Sequence, residues 1–325
     1  MPAPRPVLIA VAVLGLAGYL AVAIHLGSEH LALGLSALGL RGVCAVLGLS
    51  LLNYALRFWR WRGYIHQLGH DIPLARHCLY YFAGFAFTVS PGKAGEAVRA
   101  VYLTRHQVPV MKVFAALFVE RALDLLAICL LAIVCAGSIS GYRSAALALG
   151  AVVLGLGWML GRPGLTLILA RRAEVSGPRL RSLLGSLSAA LQASQQLLQP
   201  ARLYPALLLG MLAWSAEGYG LCLLAQAFGV HLDLQSGIAI YAIGVLGGAM
   251  SFFMPGGLGG VEAAMTGLLI KVAGATLGLA GAITLLCRFA TLWFAVVLGL
   301  VALVLLELRP PAPLSRSQIT SEPTS

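Results

Sequence analysis

The segment FVERALDLL (118–126) sets Glu120, Arg121 and Asp124 at the opening of a long apolar run. Arg121 and Asp124 are three residues apart, and Glu120 and Asp124 four, so on a helix the three charges share one broad face. Charged side chains at membrane depth are costly; they turn to the interior of a helix bundle, where they pair with one another or hold a ligand. The competing reading is an ion cluster at headgroup level. Glu217, in LAWSAEGYG, and Arg288, in TLLCRFATLWF, lie farther inside apolar runs and each requires a partner. A Glu217–Arg288 or a Glu262–Arg288 contact would serve, and the sequence leaves both open.

Two other places combine charge with a break in the chain. SPGKAGEAVRA (90–100) and FFMPGGLGGVEAA (252–264) each follow an apolar segment and restart with a glutamate. Proline removes a backbone donor and glycine permits the turn, so Pro91, Gly92 and Gly95 mark one helix break. Pro255, Gly256, Gly257 and Gly259 mark the other. Glu96 and Glu262 then fall in the first turn of a new helix, where a carboxylate suits the dipole and fills free backbone donors. The same helix ends could receive a phosphate or a cationic headgroup. Both roles stay open, and a surface turn is the plain alternative for either break.

These residues must be positioned by helices in a bilayer. Of 325 residues, 60% are hydrophobic and only 10% charged, and the mean hydropathy is +0.91. The expected class is all-α: a polytopic helical membrane protein without the dyad alternation of a β-barrel. Full spans are predicted at 7–26, 37–57, 111–137, 145–161, 203–228 and 277–306. Two further apolar segments, 74–90 and 237–254, run into the Pro-Gly breaks and pair with short helices at 94–105 and 260–273. The expectation is six spans plus two re-entrant hairpins in a single transmembrane unit, residues 1–306, with eight full spans as the alternative if each hairpin counts as two short crossings. Half one (37–137) and half two (203–306) match as an inverted repeat, the pattern that points to a binding site in transporters. Between them, 178–199 carries Leu180, Leu183, Leu184, Leu187, Leu191 and Leu198 at helical spacing, an amphipathic helix for the cytoplasmic leaflet. The proline- and serine-rich tail, 307–325, is predicted to be disordered.

Lys and Arg outnumber Asp and Glu by 22 to 11. The excess gathers in 57–112 (Arg57, Arg60, Arg62, Arg76, Lys93, Arg99, Arg105, Lys112) and in 162–202. The connection at Glu29 and His30 is nearly bare. The positive-inside rule therefore places both basic regions, and both termini, in the cytoplasm of a cell-membrane protein. No basic block is interleaved with aromatics, so nucleic acid is not an expected partner. Six scattered cysteines read as packing residues. His66, His70 and His77 lack a completing ligand set, so no metal is expected. No Walker A, dinucleotide-binding, DxD or GxSxG motif is present, and no cofactor is expected.

SPGKAGEAVRAVYLTR, VERALDLL, MPGGLGGVEAAMTGLL and CRFATLW together resemble the lysylphosphatidylglycerol synthase transmembrane (flippase-like) family, from about residue 37 to 306. The resemblance implies a membrane domain with re-entrant helices that moves a lipid between leaflets. It implies that Glu96, Arg99, Glu120, Arg121, Asp124, Glu262 and Arg288 serve a lipid headgroup, Glu217 joining them by its position. In its best-known members this domain is fused to a soluble aminoacyl-transferase. The sequence ends at Ser325, so the synthase activity is not expected to transfer and no enzyme is predicted. The implied partners are an anionic, aminoacylated, polyprenyl-phosphate or terpenoid lipid, and a lipid-synthesis enzyme. A membrane-embedded enzyme acting on a lipid-linked substrate and a non-catalytic assembly partner are the alternatives.

Overall fold

The structure, a computed structural model, describes residues 5–90, 95–135, 142–160, 163–175, 177–250 and 257–308. Pro91, Gly92, Lys93, Pro255, Gly256 and the 309–325 tail lie outside them. Among the described residues every regular element is helical. A long helix, α1 (Arg5–Gln67), is followed by α2 (Leu74–Phe85) and α3 (Val98–Leu103). Next come α4 (Val110–Cys135), α5 (Tyr142–Leu160), α6 (Pro163–Glu174) and α7 (Pro178–Leu197). The chain closes with α8 (Pro200–Ala227), α9 (Leu234–Met250), α10 (Gly260–Ala273), α11 (Leu277–Arg288) and α12 (Phe294–Leu308). A π-turn, Phe289–Trp293, separates the last two.

The chain does not break at Glu29–His30 as expected; helix continues through them. It reverses at Gly39, which takes φ +60°. The reversal follows from contacts. Tyr19 packs its ring on Phe289 and Trp293, and Tyr54 donates to the Thr291 carbonyl at 2.6 Å. Thirty-five residues of straight helix would span about 50 Å, yet both tyrosines reach one π-turn. Two antiparallel legs, 5–38 and 40–67, satisfy this, and a left-handed glycine supplies the corner.

The second leg of α1 lies antiparallel to α8. Arg60 sits at Gly210, Asn53 donates to the Ala213 carbonyl at 2.8 Å, and Ser50 bonds Glu217. The elements following each helix match in detail. Gly69 (φ +88°) ends α1 and Gly229 (φ +72°) ends α8; α2 and α9 begin five residues later. Asp233 accepts from the Ser236 amide at 3.1 Å at the start of α9, and bonds from Ser236 hold its carboxyl below the usual range. Left-handed Gln107 and Gly274 then lead into α4 and α11. Each hairpin packs on the opposite half, α2 on α12 and α9 on α4, while α9 also rests on α8 of its own half.

Both hairpins are antiparallel pairs. Tyr80 stacks on Tyr102 at 5.1 Å and Gly84 lies under Arg99. In the other, Gly244 lies under Met265 and Gly248 under Val261. One apolar core surrounds α1–α4 with α12, and a second surrounds α8–α11 with the far half of α4. α7 is less superficial than its leucine stripe suggests. Leu191 and Leu197 are buried against the bundle, Gln196 donates to the Gln67 carbonyl, and only Leu180, Leu183 and Leu187 stay exposed.

Candidate functional site

A cavity of about 370 Å³ lies where the described flanks of both hairpin tips meet. Hairpin one contributes Thr88, Ser90 and Glu96; hairpin two contributes Val245, Gly248, Gly257 and Val261. The long helices supply Asn53, Tyr54 and Arg57 from α1, Arg121 and Asp124 from α4, Trp214 and Glu217 from α8, and Arg288 from α11. The π-turn adds Thr291 and Leu292. Its freed carbonyls of Ala290 and Thr291 face the Tyr54 hydroxyl, so the irregular turn is satisfied across the bundle.

One wall is an ion network built on half one. Asp124 pairs with Arg60, with Arg57 at 3.2 Å and with Arg121 at 3.4 Å. Glu120 pairs with Arg99 at 2.9 Å, Arg121 at 3.2 Å and Arg57 at 3.8 Å, and accepts from the Tyr81 hydroxyl. Glu96 takes Arg99 at 2.9 Å, Arg121 at 3.5 Å and the Thr88 hydroxyl at 3.2 Å. Arg99 is wholly buried, its guanidinium 4.1 Å from the Tyr81 ring centroid and 5.0 Å from that of Trp61. Gly84 makes room for it: a Cβ there would stand 2.7 Å from Arg99 Nε. Arg121 is the most open member, with 29% of its side chain exposed. It lines the cavity, whereas Arg99 and Glu120 sit behind the wall.

Three residues of the cytoplasmic charge count are thereby reassigned. Arg57, Arg60 and Arg99 are buried in this network and do not face solvent. A buried arginine tolerates its position only with carboxylates alongside, and Glu96, Glu120 and Asp124 provide them. Arg62, Arg76, Arg105 and Lys112 remain for the surface count. Lys112 bonds the Leu68 carbonyl, so the end of α1 and the start of α4 share one end of the molecule.

The network leaves donors over. Among the described residues Nε and Nη2 of Arg57 and Arg121 are buried without a hydrogen-bond acceptor, each Nη2 lying at ion-pair distance from a carboxylate, and Arg60 Nε and Nη1 and Arg99 Nε are left over in the same way. Buried donors of this kind are uncommon in native proteins and mark a place for a ligand or water.

Half two repeats the motif sparsely. Glu262 accepts from Arg288 Nε at 2.9 Å and from the Gly259 amide at 2.7 Å, with Tyr19 at 3.4 Å. It therefore caps α10 and neutralises Arg288, facing a second, largely apolar cavity between α10 and α11 in place of the first. Of the two contacts left open for Arg288, the Glu262 one forms. Glu217 instead accepts from the Ser50 hydroxyl at 2.9 Å. Of the hairpin glycines, Gly257 (φ +68°) lines the first cavity, Gly259 (φ +86°) precedes α10, and Gly95 donates its amide to Ser90 Oγ at 2.7 Å. His66 pairs with Asp71 and His77 is buried on Phe58; no metal-ligand group forms among the described residues.

The sequence reading missed Arg57, Arg60, Asn53, Tyr54 and Trp214 as site residues. A signal existed. Ser50, Asn53, Tyr54, Arg57, Arg60, Trp61 and Tyr64 recur every three or four positions along an otherwise apolar helix, and all are buried on one face.

Two comparisons bear on this geometry. The family model described as the lysylphosphatidylglycerol synthase TM region matches residues 7–299. A UPF0104 membrane protein from Methanothermobacter thermautotrophicus is 37% identical over 92 residues, covering 28% of this chain and 27% of that protein's length.

Proposed function

We propose that this chain, a member of the lysylphosphatidylglycerol synthase TM region family and so a membrane protein with a lipid-related role, moves a phosphate-bearing lipid between leaflets. The observation carrying the proposal is a single cavity reached by both hairpins and bordered by Arg57, Arg121 and Arg288. Arginine presents a planar fork of donors suited to phosphate oxygens. The guanidinium groups of Arg57 and Arg121 that line the cavity would bind the headgroup, and the apolar remainder of the cavity wall suits the start of its chains.

Geometry favours transport by re-entrant hairpins. α2, α3 and α10 have 12, 6 and 14 residues, short of the roughly 20 needed to cross a bilayer. Hairpins entering from opposite faces would meet at mid-depth, giving the headgroup a polar resting place between leaflets. In this reading the end bearing Arg62, Arg76, Arg105 and Lys112 is cytoplasmic, as are both termini, in the cell membrane. The cavity acts by electrostatics and position, with no covalent step on the lipid.

The test is reconstitution into vesicles carrying headgroup-labelled phosphatidylglycerol, followed by quenching of the outer leaflet. Translocation above protein-free vesicles is expected, falling at least about tenfold in Arg57→Ala and Arg121→Ala as a binding hydrogen-bonded ion pair is lost. Wild-type rates equal to protein-free vesicles would overturn the reading. A covalently altered lipid in the recovered vesicles would favour an enzyme instead.

A further inference from the structure

Glu217 is the one cavity carboxylate outside the ion network. It is buried, holds the Ser50 hydroxyl, and has no arginine, lysine or histidine nitrogen within 4 Å among the described residues. It lies 160 positions after Arg57, and the antiparallel packing of α1 on α8 makes the two equivalent in their halves. The groups facing it are Ser50, Tyr54 and Arg57 from α1, Asp124 from α4, Tyr241 from α9, and Cys287 and Arg288 from α11.

Charge balance gives this carboxylate a task. Among the described residues the half-one network sets four arginines (Arg57, Arg60, Arg99, Arg121) against three carboxylates (Glu96, Glu120, Asp124), an excess of one positive charge. Arg288 and Glu262 cancel each other. An ionised Glu217 would offset this excess from a distance. A phosphodiester seated on Arg57 and Arg121 brings a second negative charge to the same surplus. In a low-dielectric site an uncompensated charge is expensive, and a proton is the smallest remedy.

We infer that Glu217 is a proton-binding site coupled to the anion: seating the phosphodiester on the arginines drives Glu217 to take one proton, and releasing the lipid returns it. The carboxylate takes the proton from water reaching the cavity, and no bond of the lipid changes. The inference rests on the anion site proposed above. A metal cation is a poorer counter-ion here, because Arg57 and Arg288 both face the carboxylate and repel it.

The probe is dihexanoyl phosphatidylglycerol, whose phosphodiester does not titrate near neutral pH. Its binding to the full chain in lipid nanodiscs would be measured calorimetrically from pH 5.5 to 8.5, in buffers of different ionisation enthalpy. Wild type is expected to take up protons on binding, with affinity falling by up to about tenfold per pH unit where Glu217 ionises. Glu217→Gln should bind with no proton uptake and a flat pH profile, and Glu217→Asp should restore both. Binding that needs Arg57 but takes up no proton, or uptake unchanged in Glu217→Gln, would overturn the coupling and leave the anion site standing. Binding indifferent to Arg57→Ala would overturn the anion site and the coupling with it. Should Glu217→Gln fail to fold, the wild-type proton count and the aspartate variant decide the matter.

Discussion

The two hairpins share a scaffold and differ in what pins them. Under each, a glycine at matched positions receives a fully buried side chain from the returning helix: Gly84 receives Arg99, and Gly244 receives Met265. Arg99 then ties hairpin one to α4 through Glu120 and to its own restart through Glu96. Met265 only fills space. Each hairpin also offers a glutamate to the arginine eleven residues into the following long helix, Glu96 to Arg121 and Glu262 to Arg288. Hairpin one embeds that pair among five further buried charges, whereas among the described residues hairpin two shows one ion pair, joined by the Gly259 amide and Tyr19. Electrostatic linkage of this density makes one hairpin a fixed wall. Among the described residues the other is held by packing and one ion pair, so shifting it breaks fewer of the contacts seen.

The comparison breaks most directly at Arg99. Arg99→Met gives half one the side chain of half two but takes from Glu96 and Glu120 their shortest ion pairs, and should cost about 3–5 kcal/mol, as for one partner lost from a buried ion pair. Equilibrium unfolding in mixed micelles would read it, and a loss under about 1 kcal/mol would end the claim that ions hold hairpin one. Met265→Ala should cost less, roughly 2 kcal/mol, from packing alone, since lipid tails are as apolar as the site they would replace. Hydrogen exchange sharpens the contrast without mutation. Amides of 260–273 should exchange at least about tenfold faster than those of 98–103, a gap of about 1.4 kcal/mol in opening energy; equal protection would mean hairpin two is as fixed as its counterpart. The smallest effect is a control. Gly69→Ala and Gly229→Ala meet nothing within 4 Å at φ +88° and +72°, so each should cost about 1–2 kcal/mol of backbone strain, matched within error. A large difference between them in the same unfolding assay would show that the halves diverge even in their turns.

Much of this was legible in the sequence for a physical reason. Long apolar runs, Pro-Gly breaks and isolated charges are local signals, and they located α4, α5, α8, both hairpins and the Glu96, Arg121, Asp124, Glu217 and Arg288 positions. Arg57 and Arg60 were misread because RFWRWRGYIHQ has the composition of a headgroup-level border. Their depth is set by distant carboxylates on α4, 60 to 67 residues on, which no local pattern reports. The pairing of Arg288 with Glu262 over Glu217 likewise depends on how α10 and α11 approach. The corner at Gly39 went unseen because a single left-handed glycine in an apolar stretch looks like any other helical glycine.

The first leg of α1 carries a consequence in time. Tyr19 rests on Phe289, Trp293 and Glu262, the last 243 residues farther along the chain. At about 5–20 residues per second of synthesis, that leg waits on the order of ten to fifty seconds before its partners exist. Until then it is a lone greasy helix, open to whatever else the insertion machinery holds. Its docking is thus the closing step of biogenesis, and a label at Tyr19 would act as a clock for completed assembly.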